Sequence, residues 1–136
     1  MPLKVLIVHE GGALGRQLLA ALASPEVVGH VQVCAHEMSW SAQAAAPDWA
    51  AWVPADTDWV VNALALVDPW QIEQETPAGD AFLCAFHESL IDHCERQGVG
   101  LFQLSSCYVF DGRKSNAYVS TSHAHPLGKL GRFQWH

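Results

Sequence analysis

Apolar residues fall into two rhythms along this chain. Leu3-Lys4-Val5-Leu6-Ile7-Val8 is short, branched and nearly continuous, the pattern of a strand covered on both faces of a parallel sheet. It runs into His9-Glu10-Gly11-Gly12, which reads as a loop. From Ala13 the rhythm turns helical, with Leu14, Leu18, Leu19 and Leu22 on one face, until Ser24-Pro25 ends it. Val31 to Ala35, after Gly29, predicts the next strand. His36 to Asp58 carries little periodicity, and a short helix near Pro47 to Trp52 with one poorly formed strand is expected there. Trp59 to Ala65 predicts a third clear strand, closed by Asp68-Pro69. Phe82, Leu83, Phe86, Leu90, Ile91 and Cys94 then recur at helical spacing and predict a long helix from about Asp80 to Gln97, which Gly98 stops. Val99 to Leu104 predicts the last strand, with Ser105-Ser106-Cys107-Tyr108 at its carboxyl end. Beyond Asp111-Gly112 the chain is polar and rich in turn residues.

Strands alternating with helices imply an α/β domain with a parallel sheet covered on both faces. Ligands of such sheets sit beyond the carboxyl ends of the strands, so the loops at Val8 to Gly15, Ala63 to Asp68 and Ser105 to Gly112 are the candidate site. The 136 residues, half of them hydrophobic, fit a single domain spanning 1–136. A formal charge of -7 with no run of Lys or Arg counts against nucleic-acid binding. The apolar run at the N-terminus is too short for a signal core or a membrane span, and a cytoplasmic protein is expected. Cys34, Cys84, Cys94 and Cys107 are scattered singly, without metal or disulfide spacing, and are expected as reduced thiols, several of them buried.

Gly11-Gly12-Ala13-Leu14-Gly15 follows a strand and opens a helix. In that context small residues let backbone approach a pyrophosphate while the helix N-terminus offers free N–H groups. The Gly-Lys-Ser/Thr ending of a P-loop is absent. The alternative is a tight strand-to-helix turn with no ligand.

The segment Leu101 to Gly112, with Ser105-Ser106-Cys107-Tyr108-Val109-Phe110-Asp111-Gly112 at its centre, resembles a signature of the dTDP-4-dehydrorhamnose reductase group, which are extended short-chain dehydrogenase/reductases acting on nucleotide sugars. The likeness continues at Tyr118, Pro126-Leu127 and Gly131-Arg132, and upstream at Val61-Asn62-Ala63 with Val67-Asp68 and at Leu6 to Val8 with Leu14-Gly15-Arg16. The Tyr-Val-Phe-Asp-Gly string is specific. The resemblance implies a Rossmann-type doubly wound sheet that here lacks the family's C-terminal substrate lobe. It implies NAD or NADP as cofactor, held by Gly12, Leu14, Gly15, Glu37, Asn62, Ala63 and Ser106. Glu37, just past the second strand, suits the adenosine ribose of NAD, while His36 beside it tolerates the phosphate of NADP.

Two departures from the family's pattern bear on chemistry. The first fingerprint glycine falls on His9, whose side chain crowds the turn where phosphates approach bare backbone. The family's Tyr-x-x-x-Lys pair falls on Leu130 and Gln134. In the resemblance the tyrosine donates a proton to the substrate oxygen and the lysine lowers its pKa, and Leu130 and Gln134 do neither. Ser106 keeps the hydroxyl of the active-site Ser/Thr and is the one retained catalytic candidate.

Three functions follow as alternatives: a non-catalytic binding or regulatory relative with weak or absent dinucleotide affinity, a reductase or epimerase completed elsewhere, and an interaction subunit without a small ligand. No metal site is expected: of eight histidines, His123 and His125 form the closest pair, and His87 and His93 are six apart on one helix and do not share a face. Cys107 as a reactive thiol is set against a plain buried cysteine, and Ser105-Ser106 lacks the G-x-S-x-G elbow of an acyl-transfer nucleophile. Six tryptophans, four of them between Trp40 and Trp59, read as core aromatics or as an association surface. A homo-oligomer or a complex with another subunit is expected.

Overall fold

The computed structural model describes residues 1–38, 47–64 and 77–135. Among them four strands, β1 (Leu3–His9), β2 (Val31–Glu37), β3 (Trp59–Asn62) and β4 (Gly100–Gln103), form one all-parallel sheet in the order β2-β1-β3-β4. Parallel neighbours need crossovers. Helix α1 (Ala13–Leu22) follows β1, α2 (Trp49–Trp52) follows β2, α3 (Pro77–Gln97) precedes β4, and α4 (Lys129–Trp135) follows it. Leu6 stands opposite Cys34 on one side and Val60 on the other, and Val60 opposite Leu101.

The period of two along β1 sorts its side chains onto two faces. Leu6 and Val8 join Val60, Trp49, Val53, Phe86, Leu90 and Cys94 in one buried cluster, so α2 and α3 cover that face. Ile7 and His9 point the other way. A Cβ added at Gly15 would lie 2.7 Å from His9 Cβ, which presses α1 onto the opposite face. The sheet is therefore doubly wound. Each fully buried Leu, Ile or Phe contributes about 1.5–3 kcal/mol relative to exposure.

Local chemistry sets the element ends. Asp48 caps α2 by accepting from the amides of Ala50 at 3.1 Å and Ala51 at 3.4 Å. Gly98, at φ 67°, takes the left-handed conformation that ends α3. β3 stops at Asn62, short of the expected Ala65, because the Asn62 side chain accepts the Leu64 amide at 3.2 Å and turns the chain out of the sheet. β2 runs two residues beyond the expected Ala35, since β1 remains available as a partner through His9, opposite Glu37. Glu37 is thus the last residue of the strand rather than a residue past it.

Other expectations are corrected. Leu14, in the first turn of α1, is exposed, as is Ile91, although both follow the apolar period of their helices. Of the four cysteines only Cys94 is buried; Cys34, on the outer strand, Cys84 and Cys107 are exposed, and none of the four is in a disulfide. The tryptophans divide: Trp49 packs edge-on to Phe86 at 4.9 Å and is buried, Trp52 stacks on His36, and Trp59 and Trp135 are exposed. The weak strand expected between His36 and Asp58 is not found among the described residues. Trp40, Trp70 and Asp68-Pro69 lie outside the described residues. No helix among those described is long and apolar enough to cross a membrane.

Candidate functional site

Parallel strands bring their carboxyl ends to one edge of the sheet, and three loops meet there: Glu10 to Gly12 after β1, Ala63 and Leu64 after β3, and Leu104 to Val109 after β4. The first is built around His9, which is 5% exposed. Its Nδ1 accepts the Gly11 amide at 2.9 Å, and its Cβ and ring fill the space a side chain at Gly15 would need. Gly11 has φ 73°, a left-handed conformation that favours glycine. Gly12 is the extended N-cap of α1.

Two carboxylates crowd this loop. An added Cβ at Gly11 would overlap Oε1 of Glu37 and lie 2.8 Å from its Cδ, and one at Gly12 would lie 3.3 Å from Oε1 of Glu10. The Arg16 guanidinium donates to the Gly11 carbonyl. Burial raises the Glu10 carboxyl above its ordinary value. The fold therefore binds this proton more tightly than the unfolded chain does. The resulting stabilisation is present below the ordinary carboxylate range and is lost as pH rises through the raised value. Glu10→Gln is expected to stabilise the protein at neutral pH by roughly a few tenths of a kcal/mol, kept small by solvent screening. Urea melts at neutral and acidic pH check this: the gain should disappear at the acidic end.

The second loop is organised from beneath by Asn62, which is fully buried. Its amide nitrogen donates to Gln103 Oε1 at 2.8 Å and meets His87 Nε2 at 3.1 Å. In that contact the amide supplies the hydrogen and Nε2 of His87 accepts it. Asn62 thus spends both amide hydrogens inside the protein, and Ala63 is buried with its own amide bonded to Val8 O at 2.8 Å. His87 and Gln103 carried no expectation as members of this cluster; only the pairing of strand ends with α3 brings them to Asn62.

The third loop gathers the positions that the reductase resemblance marks as catalytic. Ser106 caps the 3-10 turn Cys107–Val109 by accepting the Tyr108 amide, and its hydroxyl donates to Gln134 Oε1 at 2.5 Å. Leu130 is 3% exposed. Gly131 is buried, and a Cβ there would run into the Tyr108 carbonyl and lie 2.8 Å from Pro126 Cβ. The Tyr-Val-Phe-Asp-Gly string has a structural basis as well: Phe110 stacks on Tyr118 at 4.3 Å and Tyr118 Oη donates to Asp111 at 2.6 Å. That hydroxyl, and then the Arg113 amide, hold the Asp111 carboxyl below the usual carboxylate range.

A cavity of about 500 Å³ opens between α3, β4 and α4, walled by Ile91, Leu101, Gln103, Gln134 and Trp135. It lies on the α3 side of the sheet, and no residue of the glycine loop lines it. Among the described residues no group of three His, Cys, Asp or Glu is arranged to hold a metal ion.

The family model described as the RmlD substrate binding domain matches residues 3–136. Among solved structures, a dTDP-4-dehydrorhamnose reductase of Clostridium acetobutylicum is similar at 20% identity with a TM-score of 0.75, covering 98% of this chain and 46% of that one. A dTDP-4-dehydrorhamnose reductase of Yersinia enterocolitica is similar at 20% identity with a TM-score of 0.71, covering 98% of this chain and 45% of that one. The shared architecture is a Rossmann-like fold, and the chain spans less than half the length of either structure. No curated protein matches the chain.

Proposed function

The chain belongs to the RmlD substrate binding domain family, and from that premise we propose that it is a non-catalytic relative of the nucleotide-sugar reductases, acting as a cytoplasmic binding or regulatory module with weak or absent affinity for NAD or NADP. The observation that carries this reading is the pair Leu130 and Gln134. Reduction of a ketosugar needs a proton donor at the developing alkoxide and a cation to tune it. Leu130 is buried hydrocarbon, and Gln134 is a neutral amide engaged with the Ser106 hydroxyl. Ser106, the one hydroxyl retained, has no base among these partners and serves as a cap.

The first loop fits a dinucleotide poorly. Bare backbone is required where the pyrophosphate approaches, and His9, Glu10 and Glu37 supply an imidazole and two carboxylates there. A second reading, a reductase or epimerase completed by a further segment or a partner chain, is favoured by one fact: the matched reductases are more than twice as long. Exposed Phe102 and Trp135 support association with a second copy or another subunit.

Calorimetric titration with NAD, NADH, NADP and NADPH, an assay with a nucleotide 4-ketosugar and sizing by light scattering test the proposal together. The expected result is no turnover and no saturable binding in the micromolar range, by an associated species. Turnover by this chain would overturn the non-catalytic reading, tight dinucleotide binding that Gly12→Val abolishes would overturn the weak-affinity reading, and a clean monomer would overturn the association.

A further inference from the structure

We infer that His9 and Glu37 close the glycine loop to phosphate anions, so that dinucleotide affinity is withheld by the loop's own side chains rather than lost with the fold. The inference deepens the proposed reading and rests on it only for the identity of the dinucleotide. The platform itself is intact: a parallel strand, a left-handed Gly11, an extended N-cap at Gly12 and a helix of ten residues. An anion at such a turn is held by backbone amides and by the dipole of the helix.

Each of those sources of affinity is opposed here. The Gly11 amide is already donated to His9 Nδ1 at 2.9 Å, and the ring is wedged between β1 and Gly15 with 5% of its surface exposed, so a ligand must displace a packed side chain to reach that hydrogen. The Glu37 carboxylate stands against Gly11 and the Glu10 carboxylate against Gly12, where an incoming phosphate would meet like charge. The guanidinium of Arg16, on the next turn, is committed to the Gly11 carbonyl. His9 occupies the donor and Glu37 places its charge against that same glycine, while Glu10 adds charge one residue further on, at Gly12.

The test compares the wild-type chain with His9→Ala/Glu37→Gln, titrated separately with inorganic pyrophosphate and with NADH. Pyrophosphate probes the closure alone, whereas NADH also probes the dinucleotide reading. The double variant is expected to bind pyrophosphate about tenfold more tightly than wild type, or better, as the amide and the dipole become available. A folded double variant that binds pyrophosphate no better overturns the inference. Gain of pyrophosphate without gain of NADH upholds the closure and removes the dinucleotide from the proposed function. If the double variant does not fold, the wild type decides by NMR: a Gly11 amide resonance that stays in place under millimolar pyrophosphate supports the closure, and one that shifts overturns it.

Discussion

Phe86→Ala is expected to cost about 3–5 kcal/mol of folding stability, the range for removing a fully buried aromatic ring. Phe86 is 1% exposed and sits where three parts of the molecule meet. Its ring packs edge-on to Trp49 of α2 at 4.9 Å, lies 5.3 Å from the ring of His87, and belongs to the cluster that joins α3 to Leu6, Val8 and Val60 of the sheet. A void left there is lined by rigid neighbours and collapses poorly. The Trp49 indole is tied to α3 separately, by its Nε1 donating to Ser89 Oγ at 2.9 Å. Guanidinium unfolding followed by tryptophan fluorescence gives the measurement. A loss below about 1 kcal/mol would mean that α3 does not anchor the sheet as described. The same substitution should loosen the His87–Asn62 contact, so the candidate site and the core should fail together.

Gly131→Val should undock α4. The missing Cβ of Gly131 leaves room for the Tyr108 carbonyl, and any side chain there collides with backbone that is itself held by the Ser106 cap. Backbone cannot rotate away as a side chain can, so the strain falls at or above the upper end of the usual cost of overpacking, about 1–3 kcal/mol. Undocking breaks the Ser106–Gln134 hydrogen bond and exposes Leu130. Hydrogen exchange should show the amides of α4 losing protection while those of β1 and β3 keep theirs. Retention of protection in α4 would show that the loop after β4 can yield.

Much of this architecture is legible in the chain because burial on both faces of a parallel strand demands continuous apolar runs. Leu6 to Val8 and Val60 are the buried hearts of such runs, and Phe86, Leu90 and Cys94 mark the buried stripe of α3 at helical spacing. The ends of the elements follow a different chemistry. Asn62 stops β3 through a side-chain bond to the Leu64 amide, a choice that periodicity does not register. Leu14 and Ile91 obey the helical period yet remain exposed, since the period says which face a residue occupies and not whether anything covers it. The site was legible as positions: His9 crowding the turn, Ser106 retained, Leu130 and Gln134 replacing a proton donor and its cation.

What the sequence determined by itself was the order and kind of the elements, the parallel sheet they imply and the chemical poverty of two positions, because these depend on local composition and on which side chains carry a proton or a charge. The tertiary structure alone decided what those residues now do. Asn62, Gln103 and His87 are distant in the chain and share hydrogens only because β3, β4 and α3 pack side by side. Ser106 and Gln134 meet across 28 residues because α4 closes on the 3-10 turn at Gly131. His9 is a buried ligand of its own loop because the period of two turns it towards α1, where the absence of a side chain at Gly15 makes room for the ring. Hydrogen bonds act over about 3 Å, so the partner of a polar side chain is set by where the fold brings backbone and side chains together, and spacing along the sequence does not contain that distance.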